Sequence, residues 1–383
     1  MHLSFIGPVP PFRGGISQHS ALLVGALREA GHEVDVYSWA AQYPERLYPG
    51  DPYAPGAQPF PDAHFTLRWW DPSSWVRVGR AARAADALAF QWVTPFQGPA
   101  YRTMLAASGS TPSVAIVHNP VPHEERAVDR RLTRLGLGTV RGALAPPEPA
   151  ADDLRRLVPG VPVVPMAIPP LLDLDPTPLP PGPPWRLLFF GFVRPYKGLE
   201  LAIDAVAALV QRGVPVELTV AGLFWGPVEP WHERVAAAGL DGTITLRPGY
   251  VPDEEVQELF AAHHVVVVPY RSAPQSAIVP LAYAAGRPVA ATRVGGLAGQ
   301  VAEGVSGALA LSDDAPGLAD AVERVLADLE RLARNATEHA PTWPAVVEAL
   351  VGLVAAADGN ATYEAETTPP GRPPPSARRD PET

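Results

Sequence analysis

The chain has 383 residues, of which 47% are hydrophobic, with a formal net charge of -10 and no cysteine. That length suits two domains with separate cores, and the mixture of apolar and charged residues is that of a folded globular protein. The negative balance argues against nucleic acid as a partner. The absence of cysteine excludes a disulfide framework or thiolate zinc site and leaves the redox compartment unreadable.

The first residues, HLSFIG, read as a strand, followed by the loop PVPPFRGG and a helix. Its apolar Ile16, Leu22, Leu23, Ala26, Leu27 and Ala30 recur at helical spacing until Gly31 supplies a stop. HEVDVYSW is a second strand, so the chain opens as a βαβ unit with a parallel sheet. No Lys or Arg precedes the short opening apolar run, so no secretory leader is expected and a cytoplasmic location is the default. DALAFQWV, SVAIVHN and VPVVPMAI read as further strands.

From Pro169 to Trp185 the prolines are too dense for a helix or a central strand, which marks a linker. Beyond it βα alternation resumes with RLLFFGF, the helix GLELAIDAVAALVQRG, VELTVAG, a helix near EPWHERVAAAGL, TITLRPGYV and the helix PDEEVQELFAAH. Val265 to Val268 form a buried strand that stops at Pro269 and Tyr270, before a loop rich in Ser, Pro and Gln and an Ala-rich helix. One long helix is expected over GLADAVERVLADLERLARN.

The predicted fold class is α/β, two doubly wound Rossmann-like domains in tandem. The first domain covers 1–168, the linker 169–185 and the second domain 186–340. A helix over 341–357 crosses back onto the first domain, and the polar, Pro-rich tail over 358–383 is disordered. AVVEALVGLVAAA is too short to span a bilayer and contains Glu348.

Common α/β ligands fail on their motifs. No G-x-G-x-x-G follows the first strand, no Lys follows the glycines of a phosphate loop, and no G-x-S-x-G or H-E-x-x-H occurs, so no metal ligands are assigned. The acids of HEERAV suit a helix N-terminus.

Three segments, GPVPPFRGGISQHSALLVGALREAGHEVDVYSW, FFGFVRPYKGLELAIDA and VVVPYRSAPQSAIVPLAYAAGRPVAATRVGGL, resemble in order and spacing the GT-B glycosyltransferases of retaining family 4. The resemblance runs to about residue 350. It implies two facing Rossmann-like domains, a nucleotide-diphosphate sugar held by the second, an acceptor on the first, anomeric retention and no required metal or other cofactor. The acceptor would be a glycan, a lipid-linked molecule or a small molecule.

On that reading Arg194 and Lys197, just beyond the strand RLLFFGF, are placed to meet the charge of a departing diphosphate, and His118 sits near the reacting sugar. Gly14 and Gly15 would bring backbone close to the donor, and Gly295 and Gly296 form a second backbone-rich loop near the phosphates. Family members commonly carry two glutamates eight positions apart where this chain has Ala273 and Leu281. Ser272, Gln275 and Ser276, with the N–H groups of Ala277 and Ile278, are expected to contact the donor in their place. A second departure is Gly299 and Gln300, where an acidic residue is usual. Trp39, Trp92, Phe96, Phe224 and Trp225 suit core or rim packing better than stacking on a sugar.

The competing reading is a catalytically silent GT-B scaffold that binds a nucleotide or a partner protein; a sugar epimerase would need more acids and bases around the sugar. Arg126, Arg130, Arg131, Arg134 and Arg141, interleaved with Leu132, Leu135 and Leu137, form either an ordinary surface helix or a basic face for an anionic membrane surface, which would place the protein peripherally at the inner face of the membrane.

Overall fold

The computed structural model describes residues 1–44, 52–54, 56–120 and 127–357. The expected tail, His123, Glu124 and Arg126 lie outside them. In the first domain the strands are β1 (His2–Ile6), β2 (Glu33–Ala41), β3 (Ala63–Arg68), β4 (Ala87–Trp92), β5 (Ser113–Val117), β6 (Gly142–Ala145) and β7 (Val163–Pro165). Its helices are α1 (Gly15–Glu29), α2 (Pro72–Ala81), α3 (Gly98–Ala107), α4 (Ala127–Leu137) and α5 (Ala150–Leu157). The second carries β8 (Trp185–Phe190), β9 (Val216–Gly222), β10 (Ile244–Pro248), β11 (Val265–Val268), β12 (Val289–Ala291) and β13 (Gly307–Leu309). Its helices are α6 (Leu199–Gln211), α7 (Glu229–Ala237), α8 (Asp253–Ala261), α9 (Ile278–Ala284), α10 (Leu297–Gln300), α11 (Ala315–Ala327) and α12 (Leu329–Glu338), and α13 (Trp343–Ala357) follows.

Strand order is β3-β2-β1-β4-β5-β6-β7 in one sheet and β10-β9-β8-β11-β12-β13 in the other. All the pairings are parallel, as expected of strands as apolar as Val265 to Val268, which are buried throughout. Each order reverses beside its first strand, between β1 and β4 and between β8 and β11. At such a switch point the flanking connections diverge to opposite faces and leave a crevice at the carboxyl ends.

The final helix does return to the first domain. Val346, Val347, Leu350, Leu353 and Val354 of α13 share a buried cluster with Leu3, Phe5, Leu23, Val114 and Leu144. Each such side chain taken out of water contributes about 1.5 to 3 kcal/mol.

The residues 169–184 are fastened to the second domain. Arg287 is fully buried and donates to the Thr177 carbonyl (2.8 Å), Thr177 Oγ1 (2.6 Å) and the carbonyls of Pro178 (3.1 Å) and Phe260 (3.0 Å). Gln257 exchanges hydrogen bonds with the Asp175 backbone, and the His264 ring meets the Pro180 carbonyl at 3.0 Å.

Three local readings need correcting. The long helix is broken at Asp328, whose φ of -139° and ψ of 36° are not helical, into α11 and α12. VPVVPMAI yields only the three residues of β7. Four strands lie beyond those expected: β6, β12 and β13, because GALA, VAA and GAL are too short and too poor in β-branched residues to carry a periodicity, and β3, AHFTLR, whose one β-branched residue is Thr66.

Candidate functional site

A cavity of about 460 Å³ opens at the carboxyl ends of β8, β9 and β11. Its floor depends on glycine. A Cβ on Gly222, whose φ is +144°, would lie 1.9 Å from the Gly191 carbonyl oxygen, so only glycine lets these two strand ends close together. After β8 the chain makes a 3-10 turn over Pro195–Lys197 and enters α6 through Gly198 at φ +68°. A Cβ there would lie 2.0 Å from the Pro269 carbonyl oxygen, so the turn packs directly on the end of β11.

That turn puts the Lys197 side chain in the cavity wall, 8% exposed, with Nζ 5.1 Å from the Tyr270 ring centroid. Among the described residues no carboxylate pairs with it. Burial pulls its pKa below the usual lysine value; Tyr196 opposes this and Arg194 adds to it. Arg194 itself is placed differently from expectation. Its guanidinium lies over the Trp225 ring at 4.3 Å from the centroid and 5.9 Å from that of Phe192, on the exposed surface and not among the cavity-lining residues. Of the two cations expected at a diphosphate, the structure brings only Lys197 into the cavity.

The loop after β11 lines the cavity from Ala273 to Ile278, whereas Ser272 is exposed and outside it. Of the two expected backbone donors, Ala277 and Ile278, the second is already engaged, and so is the backbone of Ser276. The Ser276 N–H donates to Gln300 Oε1 (2.6 Å) and the Ile278 N–H to Ser276 Oγ (3.1 Å), so neither is free for an anion. Gln275 is the polar side chain that remains: its Oε1 is buried and has no partner among the described residues. Gly295 and Gly296 support this loop from beneath, since a Cβ on them would lie 2.0 Å from the Ala273 carbonyl oxygen and 1.7 Å from that of Pro274. Ala273 and Leu281 both line the cavity, and Asp253, which accepts from Tyr250 Oη at 2.9 Å, is its one lining carboxylate among the described residues.

The first domain faces this cavity through α1. Gly14, at φ +112°, starts the helix, Gly15 approaches Leu171, and Gln18 one turn further lines the cavity. His118, just past β5, borders a second, much smaller cavity together with His19 and Met166. Gln275 lines both, which connects the His118 side to the Lys197 side. The His118 ring lies 2.6 Å from Gln91 Oε1, and burial holds its pKa down to about 4.

Sequence reasoning missed Asp253, Tyr250, Gln18 and Gln91, and marked Gln300 only as a departure from the usual acidic residue. Gln300 and Gln91 offered a signal, being lone amides in apolar surroundings. Asp253 reads only as an N-terminal helix acid.

The basic helix α4 is an amphipathic surface helix. Leu137 and Thr133 are buried, Val128 and Leu135 are exposed, and Arg134 donates to the Leu157 carbonyl at 3.2 Å. Among the described residues no helix is long and apolar enough to cross a membrane, and no three His, Asp or Glu side chains converge as a metal-binding group.

Comparison with known proteins places these features. The family described as Glycosyltransferase Family 4 matches residues 13–175, and that described as Glycosyl transferases group 1 matches residues 184–328. A D-inositol 3-phosphate glycosyltransferase of Corynebacterium glutamicum is 33% identical over 190 residues, 47% of this chain and 45% of the relative. An alpha-D-kanosaminyltransferase of Streptomyces kanamyceticus is 32% identical over 156 residues, 40% of each chain. The chain thus spans less than half the length of these curated relatives. Among solved structures, sucrose-phosphate synthase from Thermosynechococcus elongatus superimposes with a TM-score of 0.68 at 20% identity, over 94% of this chain and 100% of that one. Anabaena HepE in complex with UDP does so with a TM-score of 0.62 at 17% identity, over 94% and 98%. These two likenesses establish the fold.

Proposed function

The chain belongs to the group 1, family 4 glycosyltransferases of GT-B fold, and from that premise we propose that it moves a sugar from a nucleoside-diphosphate donor to an acceptor hydroxyl, with retention and without a metal. The observation that carries this reading is Lys197: a buried ammonium, unpaired by any described carboxylate, in the wall of a cavity at a sheet's switch point. Such a charge is costly in isolation and is stabilised when an anion enters beside it. As the bond from the anomeric carbon to the phosphate oxygen breaks, negative charge grows on the diphosphate, and a bond forms to the acceptor oxygen as its proton passes to the departing phosphate oxygen. A fixed, desolvated cation stabilises that transition state more than the ground state. Gln275, lining both cavities, is positioned to hydrogen-bond the sugar between the diphosphate and His118. That Anabaena HepE was solved with UDP-glucose supports a nucleotide sugar as donor. The acceptor is a glycan, a lipid-linked molecule or a small molecule approaching from the first domain.

One observation favours the second reading, a scaffold that binds a nucleotide without turnover. Ala273 and Leu281 leave the adjoining wall without carboxylates. Calorimetric titration of UDP, GDP, ADP and dTDP into the protein and into Lys197→Ala separates the two. Binding that is lost in the variant, with turnover of sugar nucleotides of the matching base, supports the transferase. Binding without turnover leaves the scaffold, and no binding at all removes both.

A further inference from the structure

Gln91 is the polar side chain of β4, a strand buried along its whole length in the middle of the first sheet. A buried amide without partners is costly, so its contacts are informative. Both are imidazoles: Oε1 lies 2.6 Å from His118 Nε2, and Nε2 lies 3.0 Å from His19 Nδ1. The surroundings are shaped to hold the amide there. A Cβ on Gly7 would lie 2.8 Å from Gln91 Cγ, so glycine makes the room, and Tyr101 Oη donates to the backbone carbonyl of Gln91 at 2.6 Å. The His19 and His118 rings meet edge to face at 4.7 Å, and Trp343, the first residue of α13, covers His19 at 5.0 Å.

An amide oxygen only accepts and an amide nitrogen only donates. With the amide oriented as it stands, His118 carries its proton on Nε2 and gives it to Gln91, which leaves a lone pair on Nδ1. His19 accepts at Nδ1 and so carries its own proton on Nε2. Among the described residues His118 Nδ1 makes no hydrogen bond, and the ring borders the cavity that Gln275 also lines.

We propose that Gln91 is a positioning residue for sugar transfer: it presents His118 as a neutral imidazole whose Nδ1 accepts a hydrogen bond from a substrate hydroxyl, while its amide nitrogen is taken up by His19. The proposal rests on the transferase reading above. A neutral acceptor that loses its only substrate partner is left unsatisfied, which discriminates a sugar bearing the hydroxyl from one lacking it. Burial agrees with this assignment, since it holds His118 down to about 4 and His19, by burial first and His118 second, well below the usual histidine range. The doubly protonated ring, which has no lone pair to offer, is therefore scarce near neutral pH.

Long-range proton–nitrogen correlation spectra of the full chain, carrying nitrogen-15 histidine, read each tautomer without any substrate. His118 and His19, assigned from His118→Gln and His19→Gln, are both expected as Nε2–H. Gln91→Met keeps the length and removes both amide groups. It should release His118 into a mixture of tautomers and lower kcat about ten- to a hundredfold at nearly constant donor KM, with whichever of UDP-glucose, GDP-mannose, ADP-glucose and dTDP-glucose is turned over. Gln91→Glu keeps only the acceptor, so at pH 8 His118 should stay on Nε2–H and recover part of kcat, while His19 moves its proton to Nδ1. His118 found as Nδ1–H in the parent protein, or Gln91→Met with tautomer and kcat unchanged, overturns the proposal. If none of the four donors is turned over, the transferase reading falls, and the spectra still decide whether Gln91 sets the tautomer.

Discussion

Ser276 and Gln300 hold each other by a pair of hydrogen bonds across the cavity wall. The Ser276 N–H donates to Gln300 Oε1 at 2.6 Å, and Gln300 Nε2 donates back to the Ser276 carbonyl at 2.9 Å. An amide alone among side chains of this size can satisfy a backbone donor and a backbone acceptor at once. Gln300→Glu therefore turns a carboxylate oxygen toward the Ser276 carbonyl and should weaken donor binding more than Gln300→Leu, which leaves both groups merely unpaired, at about 1 to 3 kcal/mol. Calorimetry with the nucleotide that binds the parent chain checks the order. Equal affinities in the two variants would show that the pairing does not shape the cavity.

Lys197 and Arg194 sit three residues apart in one turn yet should behave differently. Lys197→Ala removes a buried cation facing the cavity, and a loss of about 2 to 4 kcal/mol in kcat/KM is expected, as for a preorganised oxyanion donor. Arg194→Ala removes an exposed stack on Trp225, worth about 0.5 to 1 kcal/mol, and should leave kcat within a few-fold. Steady-state kinetics of both variants decide it. A larger loss for Arg194→Ala would mean that the turn rearranges when donor binds.

This contrast also shows where sequence reading stops. Lys197 and Arg194 look alike in VRPYKG, because both follow a strand at its carboxyl end. Which one enters the cavity depends on Trp225, on a separate connection, and on Pro269, whose carbonyl fixes the turn through Gly198. The strand from Val265 to Val268, the loop after it and the return of α13 were legible, since each is written in local periodicity and breakers. The Gln300–Ser276 pair joins residues 24 apart and Gln91 joins His118 across 27. No local pattern encodes such a partner. For the same reason Gly295 and Gly296 read as a ligand loop but are spent on close approach to Ala273 and Pro274.

Arg287 should matter to stability more than its place outside the cavity suggests. Burial lowers its pKa to about 10, so it stays charged at neutral pH, and its donors meet carbonyls on both the linker and α8. Arg287→Met strands several of those acceptors, and a loss of about 3 kcal/mol or more is expected in urea unfolding. Arg287→Lys should recover only part of it, because a single ammonium cannot reproduce the planar fork. If Arg287→Met unfolds within about 1 kcal/mol of the parent, the linker is held by other contacts.

Acid should destabilise the chain through the two imidazoles beside Gln91. His118 has a folded pKa of about 4 against an ordinary value of 6.5, and His19 is displaced in the same direction. Between those values the unfolded chain binds a proton that the folded chain refuses. Stability therefore falls as pH drops from 6.5 toward 4 and is insensitive to this pair above about pH 7. The His118 ring is partly open to solvent, which screens the effect to about 2 kcal/mol for that residue, below the value a full displacement would give. Urea midpoints measured from pH 8 to pH 4.5 on the parent and on His118→Gln isolate it, because carboxylates titrate equally in both. The variant should lose less stability across the window, by about 1 to 2 kcal/mol. Parallel curves would mean that His118 takes its second proton on Nδ1 in the folded chain at no cost, with the Nε2–H bond to Gln91 kept.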